Sequence, residues 1–227
     1  AEMPGSFAYF WTRSRLVGSL TVREIEYTLL DRYGNPKRGV GRLADHSGAT
    51  MHTYDYAPVV AVAPDGRVCV LWYRYLWNSS TSQFNYNVFF AVLNSAGDLA
   101  YGPVNLTNNT AWGPWGGLNL PQFLWPHIAA TDDNRFVLTW LREHQGSNGE
   151  VDDVYYAVRS SSGAMVRGIT RLTSDTEGPG DGFFGPTVAR LSGNRALLVF
   201  QRAGEYGDIF YAVLDSSGSL FKQVTEL

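Results

Sequence analysis

The sequence predicts an all-β protein built from one repeated unit of four short antiparallel strands. The stretch 125–173 contains four β-runs separated by turn residues, which is the pattern of a self-contained meander. Aromatic residues make up 14% of the chain and charged residues only 17%, and no long run shows the period of a helix. The same unit then recurs along the chain, and this repetition is the strongest signal for the fold.

The repeat is visible at four kinds of position. The second strand of each unit ends in an aromatic residue followed two positions later by an arginine: Arg13, Arg74, Arg142 and Arg202. The third strand opens on a polar residue: Glu24, Asn87, Asp153 and Asp208. A turn glycine follows it: Gly34, Gly97, Gly163 and Gly218. The first strand appears three times, opening at Pro58, Pro126 and Pro186, and equivalent positions lie about 60 to 70 residues apart.

A repeated four-stranded unit of this size resembles the blade of a β-propeller. The resemblance covers nearly the whole chain and implies one propeller segment, 1–227, with blades at about 1–56, 57–124, 125–184 and 185–227. The chain contains neither the Gly-His…Trp-Asp signature of WD repeats nor the Ser-x-Asp-x-Gly-x-x-Trp box of sialidases. The Thr-rich endings at 170–173 and 223–225 are similar to blades of the TolB-like kind.

The first unit is expected to lack its innermost strand, because Met3, Pro4 and Gly5 stand where the turn before the second strand should be. The last unit ends with its fourth strand at Leu227. Closed propellers usually share one blade between the two termini, which removes the exposed sheet edge. We therefore expect this chain to be part of a larger ring, completed by another polypeptide or by a segment outside this sequence.

Composition excludes several classes of protein. A formal net charge of −3 gives no basic footprint for nucleic acid, and no apolar run reaches the roughly 18 residues of a membrane span. Cys69 is the only cysteine, so no internal disulfide is possible. The acidic residues at 152–153 and 175–181 lack the spacing of known calcium loops, and no cofactor motif occurs, so we predict no metal and no cofactor.

One face of the predicted propeller is expected to carry function. The turns between strands 1–2 and 3–4 are short, whereas the connections at 45–56, 76–86, 112–125, 143–152 and 174–184 are long. Long loops in compact domains usually carry binding. Their aromatic residues suit the faces of sugar rings, or equally a protein interface, although each could also only anchor its loop. The candidates are Trp112, Trp115, Trp77, Tyr54, Tyr56, Phe183 and Phe184.

The four repeated arginines allow two interpretations. Cross-strand pairs Arg13–Glu24, Arg142–Asp153 and Arg202–Asp208 account for three of them as structural ion pairs. In the second unit Asn87 takes the place of the carboxylate, which leaves Arg74 free for another role. The alternative is a set of arginines that point away from these carboxylates into an open channel and bind an anion.

Catalytic candidates are His127, at the start of an innermost strand, and a set formed by His52, Tyr54, Tyr56 and Arg74. The set is similar to the His/Tyr/Arg residues of some propeller-fold polysaccharide lyases, but no spacing makes it specific. The main hypothesis is an extracytoplasmic binding or assembly module, extracellular or periplasmic, that recognises a glycan or a protein. The alternatives are a carbohydrate-active enzyme (a polysaccharide lyase or glycoside hydrolase) that uses the same face, and a structural repeat of an extracellular assembly.

Overall fold

The computed structural model describes residues 2–3, 6–114, 122–146, 149–174, 182–202 and 207–227, with side chains for 6–114, 123, 125–143, 151–174, 182–202 and 207–227. Sixteen β-strands and no helix occur in this part of the chain. The predicted all-β fold class is therefore confirmed. No helix in the described residues is long and apolar enough to span a membrane.

The strands form four successive antiparallel units, here called blades I to IV. Blade I contains β1 (Glu2–Met3), β2 (Ser6–Val17), β3 (Leu20–Asp31) and β4 (Gly41–Arg42). Blade II contains β5 (His52–Val62), β6 (Val68–Asn78), β7 (Gln83–Leu93) and β8 (Leu99–Asn105). Blade III contains β9 (Gln122–Ala130), β10 (Arg135–Gly146), β11 (Gly149–Ser160) and β12 (Met165–Arg171). Blade IV contains β13 (Phe183–Leu191), β14 (Arg195–Arg202), β15 (Ile209–Asp215) and β16 (Leu220–Glu226).

Blade I is less complete than the other three. β2 and β3 form a long ladder, but β4 has two residues and β1 pairs only with Ser6 and Phe7. Over 8–17, the described residues place no strand on the other edge of β2, as expected from the sequence. A short parallel contact, Val22 with Thr53 and Arg23 with Tyr54, joins β3 to the start of β5. The beginning of β5 therefore connects blades I and II.

Apolar faces of neighbouring blades pack against each other, because side chains alternate between the two faces of a strand. Ile25, Tyr27 and Leu29 of blade I meet Val70 and Trp72 of blade II, and all five are buried. The next interface contains Leu71, Phe90, Phe136, Leu138 and Trp140, and the last contains Val137, Val158, Ala196 and Leu198. Burial of each such side chain contributes about 1.5–3 kcal/mol. These interfaces hold the blades side by side.

In blades I and III, a tyrosine on the third strand forms a hydrogen bond to the turn that follows the third strand of the next blade. The Tyr27 hydroxyl donates to the Gly97 carbonyl over 2.9 Å, and the Tyr156 hydroxyl donates to the Gly218 carbonyl over 2.8 Å. Both glycines have left-handed backbone, with φ of 85° and 81°, which a residue with a Cβ adopts at a cost. Phe90 stands at the corresponding position of blade II and has no hydroxyl to donate.

The innermost strands of blades II to IV share a bulge before a proline. Ala57, Trp125 and Gly185 have positive φ angles of 48°, 50° and 51°, and each precedes a proline. The pairing register of all three strands shifts nearby. Proline has no N–H to give to a ladder, so a bulge accommodates it in the strand. A bulky residue such as Trp125 rarely adopts this backbone, and such strained positions often lie near functional sites.

Two of the predicted loops are mostly strand. The stretch 76–86 belongs to the ends of β6 and β7 around a short turn, and 143–152 lies largely in β10 and β11. Much of the chain expected to form loops here therefore continues the strands of two hairpins. Blade II also starts at His52, earlier than the predicted boundary at 57, because the bulge at Pro58 interrupts β5 instead of beginning it.

Candidate functional site

Six aromatic side chains on β5 and β6 lie on one face of blade II and are called here the aromatic ladder. The alternation of a strand places every second residue on the same face. Cross-strand register then pairs the two rows directly: His52 with Trp77, Tyr54 with Tyr75, and Tyr56 with Tyr73. Cross-strand neighbours on one face are close enough for their rings to touch.

The rings of the aromatic ladder are stacked in register. The centroids of Tyr54 and Tyr75 are 4.6 Å apart, as are those of His52 and Trp77, and Tyr56 lies 5.7 Å from Tyr73. All six side chains are half-buried. Part of each ring therefore remains open to solvent while its neighbours fix its orientation. Because these residues stand on strands and not on loops, the surface is held rigidly.

Several rings of the aromatic ladder also make contacts with polar or charged groups. The backbone N–H of Thr21 donates to His52 Nδ1 over 3.0 Å, so this nitrogen is an acceptor and Nε2 carries the hydrogen. The Tyr54 hydroxyl is 3.3 Å from the same Nδ1. The Arg23 guanidinium lies 4.0 Å above the Tyr56 ring, a cation–π contact from blade I. Burial raises the pKa of Tyr54, Tyr73 and Tyr75, so their hydroxyls remain hydrogen-bond donors at neutral pH.

The opposite face of the same strands holds a buried ion-pair cluster around Asp55. Arg74 donates to both carboxylate oxygens, at 2.6 and 2.9 Å, and His46 Nε2 lies 2.9 Å away. Burial works to raise the pKa of the Asp55 carboxyl, but the bonds from His46 and Arg74 outweigh it and the pKa is lowered. The expectation that Arg74 is free is therefore wrong. Its carboxylate partner comes from the first strand and not from the third.

In blade I the predicted pair Arg13–Glu24 is replaced by two others. The two residues are opposite in register, but Arg15 makes the bidentate bond to Glu24, at 2.9 and 2.7 Å. Arg13 bonds Glu26 instead, at 3.3 Å. β2 continues to Val17, beyond the predicted strand end at Arg13. Arg15 therefore lies two residues further along the same face of the strand and can reach back to the buried Glu24.

Blade III differs from the prediction as well. Arg142 and Asp153 are opposite in register, but Asp153 accepts a hydrogen bond from Thr173 and forms its ion pair with Arg171. The Arg142 guanidinium instead lies 5.9 Å from the Phe123 ring and 5.7 Å from the Tyr155 ring. In blade IV a backbone bond links Arg202 N–H to the Asp208 carbonyl, and the predicted ion pair between their side chains stays a prediction.

Two cavities flank the connection that follows β8. One, of about 270 Å³, lies between this connection and blade III, and the other, of about 330 Å³, lies on blade II. Asn109 borders both of them. Its backbone N–H donates to the Asn87 side chain over 2.6 Å, and its carbonyl accepts from Asn85 over 3.0 Å. These bonds hold Asn109 in place at the border of both cavities.

The structure separates the predicted aromatic binding residues into groups. Trp77, Tyr54 and Tyr56 belong to the aromatic ladder, and Trp112 lines the larger cavity. Phe183 is a core residue and not a binding residue, since it is buried edge-on against Phe200 with centroids 5.4 Å apart. Phe184 lies beside the exposed Trp125, with centroids 6.3 Å apart. Trp115 lies outside the described residues.

Sequence reasoning missed Tyr73 and Tyr75. The signal was present in the alternation of aromatic residues at 73, 75 and 77, which is the pattern of a strand with one aromatic face. The predicted second strand ends at Arg74 and the predicted loop begins at Leu76, so the continuation of the strand through Tyr75 and Trp77 is a difference from the prediction. Trp125 was likewise used only as a strand boundary, although its side chain is half exposed.

The candidate catalytic residues do not converge. His52 and Tyr54 are neighbours in the aromatic ladder, but Arg74 points to the opposite face, where it bonds Asp55. His127 stands on β9, with Nδ1 3.3 Å from the Thr187 hydroxyl of β13, and burial lowers its pKa. In the described side chains, no three His, Cys, Asp or Glu groups lie close enough together to hold a metal ion.

Comparisons with known proteins define the fold and leave the family open. No protein-family model and no curated protein sequence matches the chain. Among solved structures, the α-L-arabinofuranosidase ARB93A from Fusarium graminearum gives a TM-score of 0.53 at 14% identity, over 100% of this chain and 64% of that one. The endo-arabinase from Bacteroides thetaiotaomicron gives 0.50 at 14% identity, over 97% and 76%.

The Bombyx mori β-fructofuranosidase BmSUC1 is also similar, with a TM-score of 0.47 at 13% identity. This chain spans about half of its length (48%). The two structures with TM-scores of 0.50 and 0.53 are named as an endo-arabinase and an α-L-arabinofuranosidase, while the TolB-like similarity finds no support. At these identities the likeness concerns fold alone, and the fold is that of a β-propeller.

Proposed function

We propose that this chain is part of a carbohydrate-active β-propeller protein and that the aromatic ladder of blade II binds its glycan. The aromatic ladder is the observation that carries the proposal. It offers half-exposed, rigidly held rings, with hydroxyls at their edges, on the face predicted to be functional. Sugars present C–H faces that stack on such rings and hydroxyls that bond to their edges. The proposal includes an extracellular or periplasmic location, where polysaccharides are encountered.

The similarity in fold to an endo-arabinase and an α-L-arabinofuranosidase favours glycoside hydrolysis as the reaction of the whole protein. That reaction normally needs two carboxyl groups about 5–10 Å apart, one on each side of the glycosidic bond. In the described part of the chain, Glu24, Asp55 and Asp153 are buried and bonded to arginine side chains. This observation favours a second candidate, a propeller that binds a glycan without cleaving it.

Isothermal titration of the chain with arabino-oligosaccharides tests the proposal. The probe is chosen because two of the fold neighbours act on arabinose linkages. Saturable binding is expected in the wild type, with a loss of about two- to tenfold in Tyr54→Leu, since one stacked ring is worth about 0.5–1.5 kcal/mol beyond its buried area. Phe221→Leu is the matched control, because Phe221 is an exposed aromatic residue on β16 in blade IV.

The same samples separate the two candidates. Release of new reducing ends from the oligosaccharide would favour the hydrolase, and binding without release would favour the non-catalytic propeller. Absence of binding to arabino-oligosaccharides and to a broad panel of neutral and acidic glycans would contradict the proposal. Equal binding by the wild type and Tyr54→Leu would remove the aromatic ladder as the site.

A further inference from the structure

We propose that the cavity between blades II and III binds the carboxylate of a uronic acid through Arg142. This inference rests on the proposed glycan function and deepens it, because it names an acidic sugar as a component of the ligand. The cavity has a volume of about 270 Å³, and its lining includes Asn108, Thr110, Phe123, Arg142 and Tyr155.

Equivalent arginines in blades II and III face different residues on the innermost strand. Arg74 and Arg142 stand at the same position of their blades, and the residue opposite each on the innermost strand is Asp55 in blade II and Phe123 in blade III. Blade II thus provides its arginine with a buried carboxylate. Blade III provides an aromatic ring at the corresponding position, which leaves a place for a carboxylate from outside the chain.

The residues around Arg142 leave its guanidinium available for a carboxylate of the ligand. Its other neighbour in register, Asp153, accepts a hydrogen bond from Thr173 on one carboxylate oxygen and forms an ion pair with Arg171 through the other. Within the part of the chain that the structure describes, the buried Nε of Arg142 has no hydrogen-bond partner. A buried guanidinium nitrogen without an acceptor is costly, and a bidentate carboxylate is the acceptor that fits the guanidinium fork best. Since Arg171 balances the charge of Asp153, the charge of Arg142 remains for the ligand.

The rest of the cavity suits a sugar ring better than a bare inorganic anion. Tyr155, which is half-buried, offers aromatic surface beside the guanidinium, as the C–H face of a pyranose requires, and the buried Phe123 packs behind the guanidinium. The side chains of Asn108 and Thr110 are exposed at the cavity and make no hydrogen bond with other described residues, so they are available for sugar hydroxyls. The volume is just below the range of about 300–1,000 Å³ typical of small-molecule sites. It fits one ring and not an extended chain.

The test compares methyl glucuronide with methyl glucoside, which differ only in the carboxylate, by titration of the 227-residue chain. The wild type is expected to bind the glucuronide about ten- to a hundredfold more tightly, which is the range for a charge-assisted hydrogen bond. Arg142→Gln should abolish this preference without changing affinity for the glucoside, and Arg142→Lys should keep only part of it. Arg32→Gln, which removes one exposed positive charge from the turn after β3, should retain it.

Thermal unfolding in the presence of methyl glucuronide serves as a second readout. The ligand should raise the melting temperature of the wild type and leave that of Arg142→Gln unchanged, and ligand-free scans show whether the variant is folded. Equal binding of both sugars by the wild type, or an unchanged preference in Arg142→Gln, would overturn the inference. Arg142-dependent binding of inorganic phosphate as tight as that of the glucuronide would overturn the sugar assignment.

Binding of neutral arabino-oligosaccharides at the aromatic ladder is measured on the same preparations. If that binding is present and depends on Tyr54, while Arg142 has no effect on the glucuronide, the inference about the cavity fails and the proposed function stands. If no glycan of any kind binds, both fail. The two sites are thus judged by different ligands and by different variants.

Discussion

Arg74 and Arg142 occupy the same position in adjacent blades, yet only Arg74 faces a carboxylate on the innermost strand. Asp55 accepts two hydrogen bonds from Arg74, whereas Phe123 stands in its place opposite Arg142. The same repeated side chain is therefore a structural element in one blade and available for a ligand in the next. The two roles should differ in how much each arginine contributes to the free energy of unfolding.

Replacement of each arginine by glutamine should have unequal effects. Arg74→Gln is expected to lower the free energy of unfolding by about 3–5 kcal/mol, because it leaves the buried Asp55 charge without its main partner. Arg142→Gln should change it by about 1 kcal/mol or less, because it removes two cation–π contacts but no ion pair with the described residues. Urea denaturation of both variants checks the difference. Equal destabilisation would show that Arg142 also holds the structure.

Stability should also depend on pH through Asp55. Its pKa is lowered in the folded protein, so its contribution is fully present above the unfolded-state pKa of about 3.9 and is lost as the pH falls through the lower folded value. The urea midpoint of the wild type should therefore fall steeply below about pH 4. Asp55→Asn should be less stable at neutral pH and lose less on acidification. If the urea midpoints of the wild type and Asp55→Asn fell equally on acidification, Asp55 would not be the source of the pH dependence.

The hydroxyls of Tyr27 and Tyr156 should contribute to the packing of neighbouring blades. Each donates to the carbonyl of a turn glycine in the next blade in a buried bond. Tyr27→Phe and Tyr156→Phe are each expected to cost about 1–3 kcal/mol, because the carbonyl left behind is buried without its donor. Tyr33→Phe, at an exposed tyrosine, should have no effect. Thermal or urea unfolding gives the comparison, and a neutral result for Tyr156→Phe would refute the expectation.

We propose that another polypeptide, or a segment outside this sequence, pairs with the free edge of β2. In the described residues this edge has no strand along 8–17, and Tyr9 beside it is 60% exposed. Unpaired edges with exposed aromatic residues favour association. The purified chain should therefore self-associate in sedimentation velocity experiments, and Tyr9→Lys should reduce this. A wild-type chain that stays monomeric at all concentrations would contradict the proposal.

Local signals predicted most of the fold correctly. The four glycines that end the third strands all adopt left-handed backbone, because a tight turn there requires it and the sequence marks each with a glycine. The missing innermost strand of blade I was likewise predictable from the position of Pro4 and Gly5. These features depend on a few adjacent residues, which a sequence displays directly.

The partners of the buried charges could not be predicted in the same way. Asp55 meets Arg74 in a register of β5 that the bulge at Ala57 and Pro58 shifts, and although the proline marks a bulge, it does not show which residues the shifted strand pairs. The core position of Phe183 also depends on packing against Phe200 and Phe210 of later strands. Long-range register and packing therefore decided which candidate site residues come together.

A structure of the chain with a bound oligosaccharide tests the central claim most directly. The ligand should be an arabino-oligosaccharide, or a mixed oligosaccharide that carries a uronic acid. The account predicts sugar rings stacked on the exposed ring faces of the aromatic ladder, with any uronate carboxylate at Arg142. A ligand found only on the opposite face, at the turns around Gly97, Gly163 and Gly218, would contradict it.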